Sequence, residues 1–324
     1  MQTSELQEIA LRFRYPGRLA LKARPFRLLP DPAFYFDSRT NSEALAGLQS
    51  FLHREDGIAL IYGDVGTGKT LLCKRFLEGL DRKAFNTGLI LNPMMNAKEF
   101  LAEVLRVFDI IPRRHSTRAT MVETFRSLVE TESEKGKQSV LAIDEAQLLS
   151  DELLDLLARH SDSKDKGGSS LRVVLFAQEE VAARLVDRSM RHLRRRITMT
   201  HCLQPLGPDE IGPYITHRLA AAGLHNLIGF NQDALEGIYC ASGGHARIVN
   251  IVSDRCLFAL TERSRTTVTR RIVSEVLRQE GIPALTKGKG FVNRLRIVRL
   301  ALAGLISALI LSGSLIILRL AAVF

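Results

Sequence analysis

Apolar and polar positions change their period along this chain, and the change divides it. Ile58-Ala59-Leu60-Ile61-Tyr62 is an apolar run too short for a helix, so it reads as a strand buried on both faces. Ser139–Ile143 reads the same way, and Thr87–Leu91, Leu171–Phe176 and Ile197–Leu203 read as further strands. Between these runs the period lengthens to that of a helix. Ser42 is the expected cap of a helix to about Arg54, with Ala44, Leu45, Leu48, Phe51 and Leu52 on one face. Leu71–Leu77 continues as another. Asn96 starts a third, with Phe100, Leu101, Val104, Leu105 and Phe108 aligned. A longer one runs from about Ser116 to Glu134 and ends at Gly136. Shorter ones are expected over Asp151–His160 and Glu179–Arg188. Beyond Pro205 the strands stop, and helices are expected at about 208–222, 231–240, 245–262 and 269–279. Strands alternating with helices, then helices alone, predict an α/β domain followed by an all-α domain.

Both ends break this pattern. Leu21–Phe36 holds three prolines and four aromatics, which exclude a helix and suit an arm packed on the body of the protein. Leu300–Leu318 is nineteen residues without a charge, bounded by Arg299 and Arg319. As a helix it would span about 28 Å, close to the ~30 Å hydrocarbon core of a bilayer, and it is read as a membrane span. Lys287, Lys289, Arg294, Arg296 and Arg299 precede it and Arg319 follows, so the positive-inside rule keeps the rest of the chain cytoplasmic. The expected organisation is an arm over 1–40, an α/β domain over 41–205, a helical domain over 206–282, a basic linker over 283–299 and a membrane helix over 300–318.

Composition adds one point. The net charge of +10 is concentrated: Arg263–Arg299 has ten Lys or Arg and two acids, and Arg12–Arg27 has six and none. Such an excess suits nucleic acid or anionic lipid. Anionic head groups beside the membrane span account for part of it. The four cysteines are scattered without a C-x-x-C pair, so neither a disulfide framework nor a zinc site is expected. Met1–Ala10 holds no apolar run, and no signal peptide is expected.

The chemistry begins at Gly63-Asp64-Val65-Gly66-Thr67-Gly68-Lys69-Thr70, which fits G-x-x-x-x-G-K-[ST] between a strand and a helix. Its glycines let successive N–H groups point into one concavity, and the following helix, with Leu71 in its first turn, adds a positive dipole end. Lys69 would reach the β- and γ-phosphates of a nucleoside triphosphate, and the Thr70 hydroxyl would hold Mg²⁺. Val140–Ile143 leads into Asp144-Glu145. Asp144 is read as the Mg²⁺ carboxylate and Glu145 as the base for attacking water, two tasks one metal-bound carboxylate cannot combine. Gln178 closes the strand Leu171–Phe176, at the end of a parallel sheet where ligands sit. Arg191, Arg194, Arg195 and Arg196 supply a candidate arginine finger for a neighbouring subunit, the alternative being a solvated basic face. Arg247, after Gly243-Gly244, is a cation placed to close a lid over phosphates.

This order of motifs resembles the AAA+ ATPases, and within them the general-secretion-pathway protein A (ExeA-like) and pilus-biogenesis group. The likeness runs from about Leu21 to Gly281. It rests on Lys22–Phe34, the phosphate loop, Asp144-Glu145-Ala146-Gln147 and the Ser-Gly-Gly-x-x-Arg-x-x-Asn of Ser242–Asn250. The resemblance implies a five-stranded parallel sheet, ATP and Mg²⁺, and an oligomer whose sites are completed between subunits. It gives Gln178 the sensor 1 place, Arg247 the sensor 2 place, and Arg196 or a neighbour the finger. It also implies inner-membrane partners in secretion, pilus biogenesis or polysaccharide export. Several members carry a peptidoglycan-binding domain beyond a span of this kind. Here six residues follow, so wall remodelling by this chain itself is not expected. The rival reading is a DNA-associated AAA+ ATPase of the transposition-helper or helicase-loader type, for which no recognition helix is apparent.

Overall fold

The computed structural model describes residues 21–53, 57–161, 171–185, 187, 190–224, 228–263 and 265–280 of the 324. The first part is an α/β unit: α1 (Arg39–Leu52), β1 (Ile58–Gly63), α2 (Lys69–Glu78), β2 (Phe85–Ile90), α3 (Ala97–Val107), α4 (Arg118–Glu134), β3 (Gln138–Ile143), α5 (Asp151–His160), β4 (Leu171–Ala177), α6 (Glu180–Arg184), α7 (Arg191–Arg196) and β5 (Ile197–Leu203). The five strands form one sheet in the order β2-β3-β4-β1-β5, all parallel. The strand carrying the phosphate loop, β1, is thus flanked on both sides.

The apolar runs become strands because both faces of the sheet are covered. Alternate side chains point to opposite faces. Ile58, Leu60, Leu141, Ile143, Val173 and Leu175 meet residues of α3, α4 and α5, including Phe100, Phe125 and Leu157. Ala59, Ile61, Val140, Ala142, Val174 and Phe176 meet α1 and α2 through Leu48, Phe51, Leu72 and Phe76. Each fully buried Leu, Ile or Phe contributes about 1.5–3 kcal/mol. Such a sheet holds its strand ends, and the residues on them, in fixed register.

The second part contains α8 (Ile211–Ala221), β6 (Gly229–Phe230), α9 (Gln232–Ser242), α10 (Ala246–Glu262), β7 (Thr267–Val268) and α11 (Arg270–Gln279). Its core is separate and includes Ile215, Ile238, Val252, Leu257 and Val273. The arm belongs to this core: Phe26 is 2% exposed within it.

Four expectations need correction. The first helix is capped by Ser38, whose Oγ accepts from Asn41 N–H, and Ser42 lies inside it. The helical part is not all-α, because β6 and β7 form a two-residue parallel ladder. The helix expected over Glu179–Arg188 spans only Glu180–Arg184, and the basic cluster that follows is itself the short helix α7. The arm makes one 3₁₀ turn, Pro32–Phe34, with proline at its start where a missing N–H costs nothing. Among the described residues no helix is long and apolar enough to cross a membrane. The basic linker and Leu300–Leu318 lie outside the described residues.

Candidate functional site

The phosphate loop leaves β1 and turns into α2 through Gly68, which takes φ of 99° as the residue before the helix. Gly66 is also left-handed, at φ of 83°. Both conformations are open to glycine and strained for other residues. Lys69 is buried, and its Nζ donates to the carbonyls of Gly63 (2.9 Å) and Asp64 (2.8 Å). Burial pulls the Lys69 pKa down, against the pull of Glu145, Asp144 and Asp64. The loop therefore already holds its cation against its own carbonyls.

Asp144, at the carboxyl end of β3, is 3% exposed. Its Oδ2 accepts from Thr70 Oγ1 at 2.6 Å, while Oδ1 has no hydrogen-bond partner among the described residues. Burial raises its pKa, with the neighbouring Glu145 charge adding, although the Thr70 hydroxyl, the Glu145 N–H and Lys69 oppose this. A buried carboxylate oxygen without a donor is costly, and a cation beside it removes the cost. One carboxylate and one hydroxyl suit Mg²⁺, which takes few protein ligands and completes its shell with phosphate and water. The residues therefore fit the metal.

Glu145 adopts a left-handed backbone, φ of 52°, rare for a side chain of this kind. Its Oε2 accepts from the side-chain amides of Gln147 and Gln178, the latter at 3.2 Å. Gln178 stands immediately past β4, and its backbone N–H donates to Gln147 Oε1 at 3.0 Å. The sheet order places β3 and β4 side by side, which brings Glu145 and Gln178 together.

The helical part closes over this loop. Arg247 donates its N–H to Gly66 O at 3.4 Å, and a Cβ built on Gly66 would lie 2.8 Å from the Arg247 Cβ. Gly66 is thus glycine for two reasons, the loop's φ and the approach of the lid. His245 bonds Asp64 Oδ2 at 2.9 Å with one ring nitrogen and Ser242 O at 2.9 Å with the other. Burial pushes the Asp64 carboxyl up, but the bonds from His245 and the Val65 N–H prevail and hold it below its ordinary value.

A cleft of about 450 Å³ results, lined by Val65–Leu71, Glu145, Gln178 and Arg247 and walled by the arm from Arg27 to Phe36. The arm is fastened by the buried Arg218 of α8, which donates to Pro25 O (2.6 Å) and Arg27 O (2.9 Å) with its guanidinium 4.7 Å from the centre of the Phe34 ring. Tyr35 beside it is pushed up to about 12 by burial and then by Asp37.

Most of the sequence candidates converge on this cleft. Arg191, Arg194 and Arg195 are exposed and Arg196 half-buried on α7, and none of them lines it. Sequence reasoning gave no role to Gln147, His245 or Arg218. Gln147 had a signal, as the fourth residue of the Asp144–Gln147 run, and His245 lies within the Gly-Gly-x-x-Arg stretch.

A parallel β2-β3-β4-β1-β5 sheet, a phosphate loop at the end of β1, a carboxylate pair at the end of β3 and a helical part that supplies an arginine are the arrangement of a P-loop AAA domain. Residues 52–185 match the AAA domain family. The chain is similar to general secretion pathway protein A of Aeromonas hydrophila, with 31% identity over 249 residues, 77% of this chain and 45% of that protein. The chain therefore spans less than half the length of that relative. Solved structures share the fold at low identity. Cdc6p from Pyrobaculum aerophilum matches at 20% identity with a TM-score of 0.60, over 78% of this chain and 71% of that one. ORC2 from Aeropyrum pernix, in its ADPNP-ADP complexes, gives 18% and 0.59, over 79% and 71%. RuvB from Thermotoga maritima, a Holliday junction branch migration motor, gives 19% and 0.53, over 77% and 70%.

Proposed function

We propose that this chain is a membrane-anchored ATPase that couples ATP turnover to the assembly or operation of an inner-membrane secretion, pilus or polysaccharide-export machine. The observation that carries the hydrolytic part is the bonded pair Thr70–Asp144 with an orphan carboxylate oxygen, next to a second carboxylate free of metal duty. Lys69 exchanges the Gly63 and Asp64 carbonyls for the β- and γ-phosphates. Thr70 and Asp144 would hold Mg²⁺, which supplies charge neutralisation at the phosphate oxygens. Glu145 orients a water and takes its proton as the water oxygen bonds to the γ-phosphorus. The bond to the β–γ bridging oxygen breaks, and ADP and phosphate result. Gln178 and Arg247 flank the γ-phosphate and pass its loss to the lid, and a cation of α7, Arg196 or a neighbour, serves the adjoining subunit of a homo-oligomer.

Anchoring rests on the charge-free stretch Leu300–Leu318 and the cations before it. The likeness to general secretion pathway protein A supports secretion partners, while the cations before the stretch favour an ATPase on the cytoplasmic side. The test is fractionation of the full-length protein in a bacterial host. It is expected in the membrane pellet after alkaline carbonate and to be released when 300–318 are deleted. Full-length protein washed off by carbonate would overturn the anchor.

A DNA-associated function is the second reading, favoured by the exposed arginines of α7 and by neighbours such as Drosophila ORC, whose structure is DNA-bound (16% identity, TM-score 0.52). It predicts duplex binding by the detergent-solubilised protein that weakens steeply with salt. The anchored reading predicts no such binding at 0.15 M salt.

A further inference from the structure

Gln147 lies two residues past Glu145, and no step of the hydrolysis above uses it. Both ends of its side chain are engaged. Nε2 donates to Glu145 Oε2, and Oε1 accepts the Gln178 N–H at 3.0 Å. The orientation of the amide is fixed by its partners: a carboxylate only accepts, and a backbone N–H only donates. Gln178 Nε2 reaches the same Glu145 oxygen at 3.2 Å, closing a ring of three side chains. The path of the backbone at Gln147 is held separately. Arg184 donates to Gln147 O (2.9 Å), Leu149 O (3.0 Å) and Asp151 Oδ1 (2.6 Å). The loop therefore does not depend on the Gln147 side chain for its course, and the ring is left with another job.

We propose that Gln147 is a positioning residue for ATP hydrolysis: its amide ties the Glu145 carboxylate to the residue that closes β4, so that base and γ-phosphate neighbour keep one mutual geometry. The inference rests on the reading of Glu145 as the base. Glu145 needs such a tie. Its left-handed backbone is a conformation that persists only where the surroundings impose it. No smaller side chain spans both partners. A glutamate at 147 retains an acceptor for the Gln178 N–H but faces Glu145 with a like charge, which separates the two halves of the bridge.

The test measures steady-state hydrolysis for the full-length protein and its Gln147→Glu and Gln147→Leu variants, with binding of a fluorescent ATP analogue alongside. Gln147→Glu is expected to lose about tenfold or more in kcat at pH 7, the scale of a small misplacement of a reacting group. ATP affinity should stay within about twofold of the parent. Gln147→Leu should lose kcat similarly, and it serves in place of Gln147→Glu should that variant not fold. Parent-like kcat in Gln147→Glu, or ATP affinity lost in step with kcat in either variant, overturns the proposal. Glu145→Gln is the control: turnover at the parent rate there defeats the assignment of the base itself, a failure distinct from that of Gln147.

Discussion

Asp144 shows how a single side chain joins three demands. It caps a strand, accepts from Thr70 and leaves one buried oxygen waiting for a cation. Asp144→Asn removes the charge while keeping the shape. The variant is expected to bind ATP but to lose at least a hundredfold in Mg²⁺-dependent turnover, read by titrating Mg²⁺ at fixed ATP. Asp64 gives a second residue-scale prediction. Its pKa is held below the ordinary carboxylate value by the His245 and Val65 bonds, which outweigh burial. An acid depressed on folding contributes stability that is complete above its unfolded pKa, about 3.9, and is lost as pH falls through the folded one. Denaturant titrations should therefore find Asp64→Asn less stable than the parent at about pH 5–6, with the gap narrowing below about pH 4. At this scale the phosphate loop, Asp144 and Glu145 were legible because each is a contiguous pattern whose flanks confirm it. The partnerships of Gln178 with Gln147, His245 with Asp64 and Arg218 with Pro25 were not, because they cross 31, 181 and 193 residues of chain.

Among elements, β1, β3 and β4 were readable because a sheet covered on both faces demands apolar runs; β5, at the sheet edge with Thr198 and Thr200 exposed, still begins and ends where its sequence does. The start of α1 was misread because Ser38 and Ser42 are both capping residues. The deciding interactions are remote: Thr40 in the first turn is buried against His201 Nε2 (3.2 Å) and the Gln204 N–H (3.2 Å) of the chain leaving β5. The ladder of β6 and β7 was invisible because two residues carry no period. The junction of the phosphate loop with α10 makes its own prediction. Gly66→Ala places a methyl group against Arg247 and strains a left-handed residue, about 1–3 kcal/mol in all. Its melting temperature should drop by several degrees, and its affinity for ATP should fall at least tenfold by analogue titration, because the loop and the lid cannot both keep their places.

At the scale of the whole molecule the arm, the lid and the α/β unit form one enclosure for the nucleotide. Lys22 N–H bonds Ala222 O, Phe26 enters the helical core, and Lys74 of α2 reaches Pro30 O. Motion of the lid on phosphate release would therefore carry the arm with it. The division into an α/β part and a helical part could be read from the change in apolar period. The partner that receives the motion could not, since a docking surface leaves no contiguous pattern in a chain. The most direct measurement is ATP turnover by the full-length protein in lipid vesicles, compared with Glu145→Gln at equal bound nucleotide. Steady Mg²⁺-dependent hydrolysis is expected in the parent, and a variant that binds ATP and stalls, with at least a hundredfold less phosphate released. Turnover at the parent rate in Glu145→Gln would contradict this expectation.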